Sequence, residues 1–332
     1  MIARPVIGHV KWFVDDAAAL PTDWAFATAG PSLLMLAVAV LLALAWRGAA
    51  RHLPVPELRL LAFVARLGPW VPRLLGVHLG VSLLALAVTN AYLSPDLSLD
   101  AVSGGSAVAL AEGVVGVWLI TGVRLRAAAV SVVALGPLAL VLAGPVAVVE
   151  AADLLGVALF LTLLPPGPDR FGAASVEPAD VVPALLAMRV GVGVSLIVVA
   201  FSEKLAAPAV AAEFLQHHPA FQLFSLTGID VADSVFIRFT AAVEVLFGLL
   251  LISGAAPQAA VIVAGIPFNA TLFFLGRSEL IGHLPIYGAM LALLVYGSDD
   301  RLAPSIPKLA GGLRGVAAAV RRTAGRVRAV PP

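Results

Sequence analysis

Nine long apolar segments, separated by polar connections, follow one another along this chain of 332 residues. A helix needs roughly 20 apolar residues to cross about 30 Å of hydrocarbon. The segments are residues 24–46, 70–93, 105–123, 127–145, 146–165, 180–203, 234–254, 258–276 and 279–297. Only 12% of the residues are charged, whereas a soluble protein carries about 25%. The sequence therefore predicts an all-α polytopic membrane protein with nine transmembrane helices surrounded by membrane lipids.

The charges in the connections predict an orientation. Basic connections lie on the cytoplasmic side of most membrane proteins, and here the basic and acidic connections alternate. With the basic tail inside, nine spans place the N-terminus outside the plasma membrane. The basic connections are 47–66, Arg124, Arg126, Arg170 and 298–332, and the acidic ones are 96–100 and 213–233.

Two parts of the chain resemble each other. The stretch AEGVVGVWLITG (111–122) matches VEVLFGLLLISG (243–254) and pairs Glu112 with Glu244. One helix earlier, GVSL occurs at 80–83 and again at 193–196, and further along Pro137 pairs with Pro267 and Gly156 with Gly288. This order predicts a duplication: one leading helix followed by two tandem, parallel four-helix bundles.

The repeat and the connections divide the chain into five parts. Residues 1–69 hold an N-terminal outer segment, the first transmembrane helix and a basic connection. Residues 70–165 form the first unit and 180–297 the second, and a linker rich in Pro and Gly joins them over 166–179. Residues 298–332 are predicted to be a basic cytoplasmic tail against anionic headgroups.

The second unit resembles the DoxX/DoxD-like superfamily of four-helix membrane proteins. The resemblance lies in RVGVGVSLIVVAFSEKLAAPAVAAEFL (189–215), with its leading arginine and its Lys-Leu at the outer end, and in the Glu244 helix with Gly248 and Ser253-Gly254. It extends more weakly over 70–165. The resemblance implies an association with quinone-linked or thiol-linked redox systems. The chain has no cysteine, which argues against thiol chemistry of its own.

Ionisable residues inside spans are costly and usually have a purpose. Glu244 lies near the middle of its span, where a carboxylate could exchange a proton or hold a ligand, or could simply bond neighbouring helices. Glu279, His283 and Tyr287 share one helical face and could line a cavity, with His283 as a proton carrier. The alternative is ordinary packing and hydrogen bonding between helices. Glu244 and His283 are the candidate catalytic residues.

Further candidates for ligand binding surround these residues. Glu203 and Lys204 end the sixth span, where the first unit has Asn90 and Ala91 instead. We also consider Arg238, Asn269 beside Pro267, Glu279 and Tyr287. In the first unit, Glu150 and Asp153 could form a second polar site.

No metal site is predicted. The adjacent His217 and His218 are weak candidates, because no third ligand is visible beside them. Net charge is +1, so no nucleic-acid partner is expected. Motifs for nucleotide or haem binding are absent.

Two functions remain open at this point. The first is a redox-associated subunit that binds a quinone, as a possible cofactor, or another lipophilic ligand in the outer half of the second unit. If it is an enzyme, it is an oxidoreductase subunit without its own electron carrier, and a redox partner protein would supply electrons. The second is a non-enzymatic small-solute or ion handler, or an assembly factor for an exported protein.

Overall fold

The computed structural model describes residues 13, 14, 17–164, 177–225 and 228–307, without the side chains of Ala18, Asp96, Arg277 and Ser278. Pro165 of the first unit, residues 166–176 of the predicted linker and residues 308–332 of the predicted tail lie outside this description. The fold is helical, with one pair of short antiparallel strands. The elements in chain order are α1 Trp24–Thr28, α2 Gly30–Ala49, α3 Val71–Val88, β1 Ala91–Tyr92, β2 Ser94–Ser98, α4 Gly105–Thr121, α5 Leu125–Glu150, α6 Ala152–Leu163, α7 Pro178–Val199, α8 Pro208–His217, α9 Asp233–Ser253, α10 Pro257–Leu275 and α11 Arg277–Gly297.

Seven of the described helical segments are long and apolar enough to cross a membrane. Two shorter apolar helices, α4 and α6, occupy the positions of the third and fifth predicted spans. The chain is thus an all-α multi-pass membrane protein. Helix α2 has the most exposed apolar surface of the seven, because only 6% of its most apolar 18-residue stretch is buried inside the protein. Its exposed leucines and valines need a lipid environment to avoid contact with water.

The fourth and fifth predicted spans are divided differently in the structure. Helix α5 bends at Gly144, whose φ of 80° is left-handed, one residue before the predicted boundary. The helix then continues to Glu150, and Ala151 separates it from the 12 residues of α6. The predicted span 146–165 is therefore broken at Ala151.

Successive long helices run in opposite directions, so the bundle has two ends. The end that carries the β1–β2 pair and α8 is called here the α8 end. The other, called the basic end, carries Arg47, Arg124 and Arg301 at the ends or starts of helices. A 3-10 segment, Arg59–Trp70, leads into α3 from the basic end.

Helices of the two predicted units pack on one another. Within each unit the first helix packs on the second, α3 on α4 and α7 on α9. The last helix of each unit instead packs on the first helix of the other, α6 on α7 and α11 on α3. At these contacts Gly156 touches Met188 and Gly191, and Gly288 touches Leu75 and His78. Both glycines allow close helix approach.

Equivalent positions of the two units have equivalent contacts. A Cβ at Gly80 would lie 2.5 Å from the Gly116 carbonyl oxygen, and a Cβ at Gly193 would lie 2.5 Å from that of Gly248. Each of these first-helix glycines also faces an isoleucine four residues beyond the partner glycine, Ile120 or Ile252.

The backbone repeats the same pattern with a spacing of 132 residues. The helix-ending Gly122 and Gly254 are both left-handed, as are Arg124 and Ala256 two residues later. Gly144 has a φ of 80° and Gly276 a φ of 72°, and both have an extended ψ. The spacing of 132 residues holds before and after the middle of α5 and α10. At this spacing the residue that corresponds to Pro137 is Asn269. Its predicted pairing with Pro267 is out of register by two residues.

Candidate functional site

A π-helical turn at the end of α7 carries the first charged residues of the site. The turn spans Ala200–Leu205, and the Ala206 N–H donates to the Phe201 carbonyl oxygen five residues back, at 2.7 Å. Such turns widen the helix and often occur at functional sites. Here the turn directs Lys204 into one cavity and the adjacent Glu203 into another.

Two close pairs of ionisable side chains form the polar part of the site. Lys204 Nζ lies 2.8 Å from Glu244 Oε1 on α9, and His283 Nδ1 lies 3.2 Å from Glu279 Oε1 one helical turn away on α11. The side chains of Lys204, Glu279 and His283 are at most 8% exposed, whereas that of Glu244 is 29% exposed. A charge this deep in an apolar bundle needs a partner, and each of the four has one.

These pairs form one electrostatic cluster. Lys204 interacts with Glu279 as well as with Glu203 and Glu244, and His283 interacts with Glu244. The second oxygen of Glu244, Oε2, is buried and has no hydrogen-bond partner among the described residues. An acceptor left in this state costs about 1–3 kcal/mol.

A cavity of about 400 Å³ opens beside the cluster. Lys204, Glu244, Glu279 and His283 line it together with the hydroxyl-bearing Thr240 and Thr271. Nine of the 15 phenylalanines of the chain line the remainder. These are Phe13, Phe214, Phe221, Phe224, Phe236, Phe239, Phe247, Phe268 and Phe274. The volume lies within the usual range for small-molecule sites, about 300–1,000 Å³, and we call it the aromatic cavity.

A second, smaller cavity lies between the two units near the α8 end. Its volume is about 40 Å³, and Glu150, Asp153 and Glu203 line it with Ser82, Thr89 and Ser94. Asp153 accepts a hydrogen bond from the Ser195 hydroxyl at 3.4 Å, and that hydroxyl also donates to the Glu150 carbonyl oxygen at 2.5 Å. We call this the polar cavity.

Of the eight predicted site residues, the structure brings four together at the aromatic cavity: Lys204, Glu244, Glu279 and His283. Glu203 lies next to them in sequence but lines the polar cavity. The other three, Arg238, Asn269 and Tyr287, do not line either cavity.

These three residues have contacts of their own. Arg238 Nε donates to Ser32 Oγ at 3.0 Å, and its guanidinium lies 3.8 Å from the centre of the Phe26 ring. Arg238 therefore joins α9 to the leading helices. Asn269 is exposed and donates to Gly265 O in its own helix, and the Tyr287 hydroxyl donates to Phe268 O.

The weak metal candidates are also separated from the cluster. His217 Nδ1 lies 3.0 Å from the Glu213 carbonyl oxygen, and the His218 ring packs against Phe13 and Phe214. Burial and the neighbouring His217 lower the pKa of His218. In the part of the chain that the structure describes, no three His, Asp or Glu side chains are grouped to hold a metal ion.

Sequence reasoning missed the aromatic lining and the role of Ser195. The nine phenylalanines come from six separate segments, so no local pattern marks them. The signal that could have found them is their concentration, because 14 of the 15 phenylalanines fall outside the first unit. Asp153 was recognised as polar, but its contact with Ser195 of the other unit depends on the exchange of helix neighbours.

No family model, curated protein or solved structure matches this chain. The site is therefore interpreted from its own geometry. It offers a space lined by aromatic side chains, a lysine and a histidine that can donate hydrogen bonds, and two carboxylates that can accept them.

Proposed function

We propose that this chain is a redox-associated membrane subunit that binds a quinone or a similar lipophilic ring in the aromatic cavity of the second unit. This proposal includes the resemblance to DoxX/DoxD-like proteins and the duplication into two four-helix units. The observation that carries it is the cavity itself, in which phenylalanines surround a space with donors and acceptors gathered on one wall.

The shape and chemistry of the cavity match such a ligand. A quinone ring is planar and apolar on its faces, and aromatic side chains pack on such rings in stacked or edge-on geometries. Its carbonyl oxygens accept hydrogen bonds, which Lys204 or His283 could donate. In the reduced form its hydroxyls donate, and the Glu244 carboxylate, which lines the cavity, could accept one.

The paired arrangement lowers the cost of a charge inside the bundle. Lys204 and Glu244 neutralise one another, as do protonated His283 and ionised Glu279. When His283 gives up a proton, Glu279 keeps its negative charge, which Lys204 also attracts, so the cost of this change in a low-dielectric site is reduced.

The chain itself supplies binding groups and proton carriers. A redox partner protein would supply or accept the electrons. The predicted orientation, which also belongs to this proposal, places the aromatic cavity in the outer half of the membrane.

A photoreactive azidoquinone tests the proposal directly. The full-length protein in lipid nanodiscs would be illuminated with the probe and digested, and labelled peptides identified by mass spectrometry. We expect labelling in α9, α10 and α11 at residues around the cavity, and excess decylubiquinone should suppress it. Labelling spread evenly over lipid-facing helices such as α2, and unaffected by competitor, would refute a specific site.

A further inference from the structure

We propose that the polar cavity is a water-filled proton outlet for the aromatic cavity, with Asp153 and Glu203 as its proton-carrying groups. This inference rests on the proposed function, because it assigns the route by which the ligand-binding groups exchange protons with water. It requires contributions from both units.

Two cavities meet at one layer of ionisable side chains. Lys204 and Glu203 are consecutive, yet Lys204 lines the aromatic cavity and Glu203 the polar cavity. Consecutive side chains of a helix point in different directions, roughly 100° apart in an α-helix, so Glu203 and Lys204 can face different cavities. Adjacent residues of one helical turn therefore line the two cavities at this point.

A second connection runs through His283 and Asp153. His283 lines the aromatic cavity, Asp153 lines the polar cavity, and the two interact electrostatically. The helices that carry them belong to different units, since Asp153 lies on α6 and His283 on α11. The charged and titratable groups that act on His283 are Glu279 on its own helix, Asp153 on α6 and Glu244 on α9.

The polar cavity has the properties of a small water site. Its volume of about 40 Å³ has room for about three or four water molecules, since each needs roughly 10–15 Å³ by this measure. Glu150, Asp153, Thr89 and Ser94 supply the polar partners that such water needs. Thr89 and Ser94 adjoin the loop at the α8 end, which leads to the surface.

The proton transfer balances within the chain. When protonated His283 gives up its proton, the imidazole N–H bond breaks and an O–H bond forms on the Asp153 carboxylate. The Asp153 carboxyl then releases the proton to water in the polar cavity. His283 becomes neutral and can accept another proton from the aromatic cavity. Glu203 provides the parallel path beside Lys204.

Cysteine accessibility tests the presence of water without any ligand. The chain has no cysteine, so Ser82→Cys introduces a single thiol in the wall of the polar cavity. Ser131→Cys, on the exposed side of α5, is the matched control in lipid. Methanethiosulfonate ethylammonium reacts with the thiolate, which forms only in contact with water. We expect Ser82→Cys to react at least about tenfold faster than Ser131→Cys. Equal rates would overturn the outlet.

Proton release tests the route. Decylubiquinol would be added to the full-length protein in nanodiscs and oxidised by two equivalents of ferricyanide, which takes two electrons and leaves quinone and two protons. A pH indicator would follow proton release above the rate of empty nanodiscs. We expect Asp153→Asn and Glu203→Gln each to slow proton release by about tenfold or more. The ratio of the release rate in water to that in deuterium oxide should be larger for each variant than for the wild-type protein. Quinol affinity should stay unchanged.

The controls separate the possible failures. Asp300→Asn, at an exposed position of the basic end, should release protons at the wild-type rate, and thermal unfolding would confirm that each variant folds. If Asp153→Asn does not fold, Glu203→Gln alone decides the route. Wild-type release in both variants would overturn the route while leaving the binding site in place. A wild-type protein that binds no decylubiquinol would refute the proposed function, and the Ser82→Cys rate would still decide whether the outlet exists.

Discussion

The first unit and the second unit hold an equivalent glutamate in two different ways. In the first unit, Glu112 Oε1 accepts a hydrogen bond from the Leu93 backbone N–H at 3.0 Å, and the residue is fully buried. In the second unit, Glu244 Oε1 meets Lys204 Nζ at 2.8 Å and its side chain reaches the aromatic cavity. One glutamate is enclosed by the backbone, whereas the other is held by a charge beside open space.

The difference originates in the preceding connection. In the first unit α3 ends at Val88, and the chain turns at Asn90 into β1 and at Leu93 into β2. Both of these turning residues have a positive φ. That turn brings the Leu93 N–H to Glu112. In the second unit the helix continues through the π-helical turn, which carries Lys204 to the matching place. The positions that the predicted repeat pairs therefore hold a closed polar contact in one case and an open one in the other.

The largest effect is expected where a buried charge loses its partner. Lys204→Met should destabilise the protein by about 3–5 kcal/mol, because Glu244 and Glu203 would remain without their cation. Chemical unfolding in detergent would measure the change. The double variant Lys204→Met with Glu244→Gln should recover a large part of the loss. If the double variant lost as much unfolding free energy as the two single variants together, the pair would not be coupled as described.

The framework glycines should respond equally in the two units. Gly80→Ala and Gly193→Ala each place a methyl group about 2.5 Å from a carbonyl oxygen of the next helix. We expect each to cost about 1–3 kcal/mol through overpacking, with similar values for both. Thermal unfolding of the two variants side by side would measure this. A large cost at one glycine and none at the other would contradict the structural equivalence of the units.

A smaller effect is expected at Tyr287, which was predicted to bind ligand but contacts the backbone instead. Tyr287→Phe removes only the hydrogen bond to the Phe268 carbonyl oxygen, and should cost about 0.5–1.5 kcal/mol. Decylubiquinone affinity should remain unchanged, as measured by tryptophan fluorescence quenching. A loss of affinity without a loss of stability would place Tyr287 in the site after all.

Hydropathy was sufficient to predict the helical class, because lipid contact demands long apolar runs. Three features were sufficient to predict the four residues of the cluster: the position of Glu244 in mid-span, the charged end of α7, and the shared helical face of Glu279 and His283. Pairing between helices was less predictable. The packing of α6 on α7 and of α11 on α3 depends on glycine contacts between distant segments, and apolar sequences give little indication of which faces meet.

The contrast between Glu203 and Lys204 illustrates the same limit. A sequence shows two adjacent charges at a helix end, but the packing of the surrounding helices determines that they face separate cavities. Arg238 was expected near the ligand because of its depth in the span. Its actual partners, Ser32 and Phe26, belong to the leading helices, whose position against α9 no sequence pattern indicated.

The affinity of decylubiquinone for Glu244→Gln, compared with Glu112→Gln, tests the central claim most directly. The oxidised and reduced ligands would be titrated into nanodiscs that contain each variant and the wild-type protein. A hydrogen bond to a charged group contributes about 1.5–3 kcal/mol, so Glu244→Gln should weaken quinol binding by about 10–100-fold. Glu112→Gln should leave it unchanged, since Gln can still accept from the Leu93 N–H. Equal affinities for all three proteins, or a loss in Glu112→Gln alone, would contradict the assignment of the ligand site to the second unit.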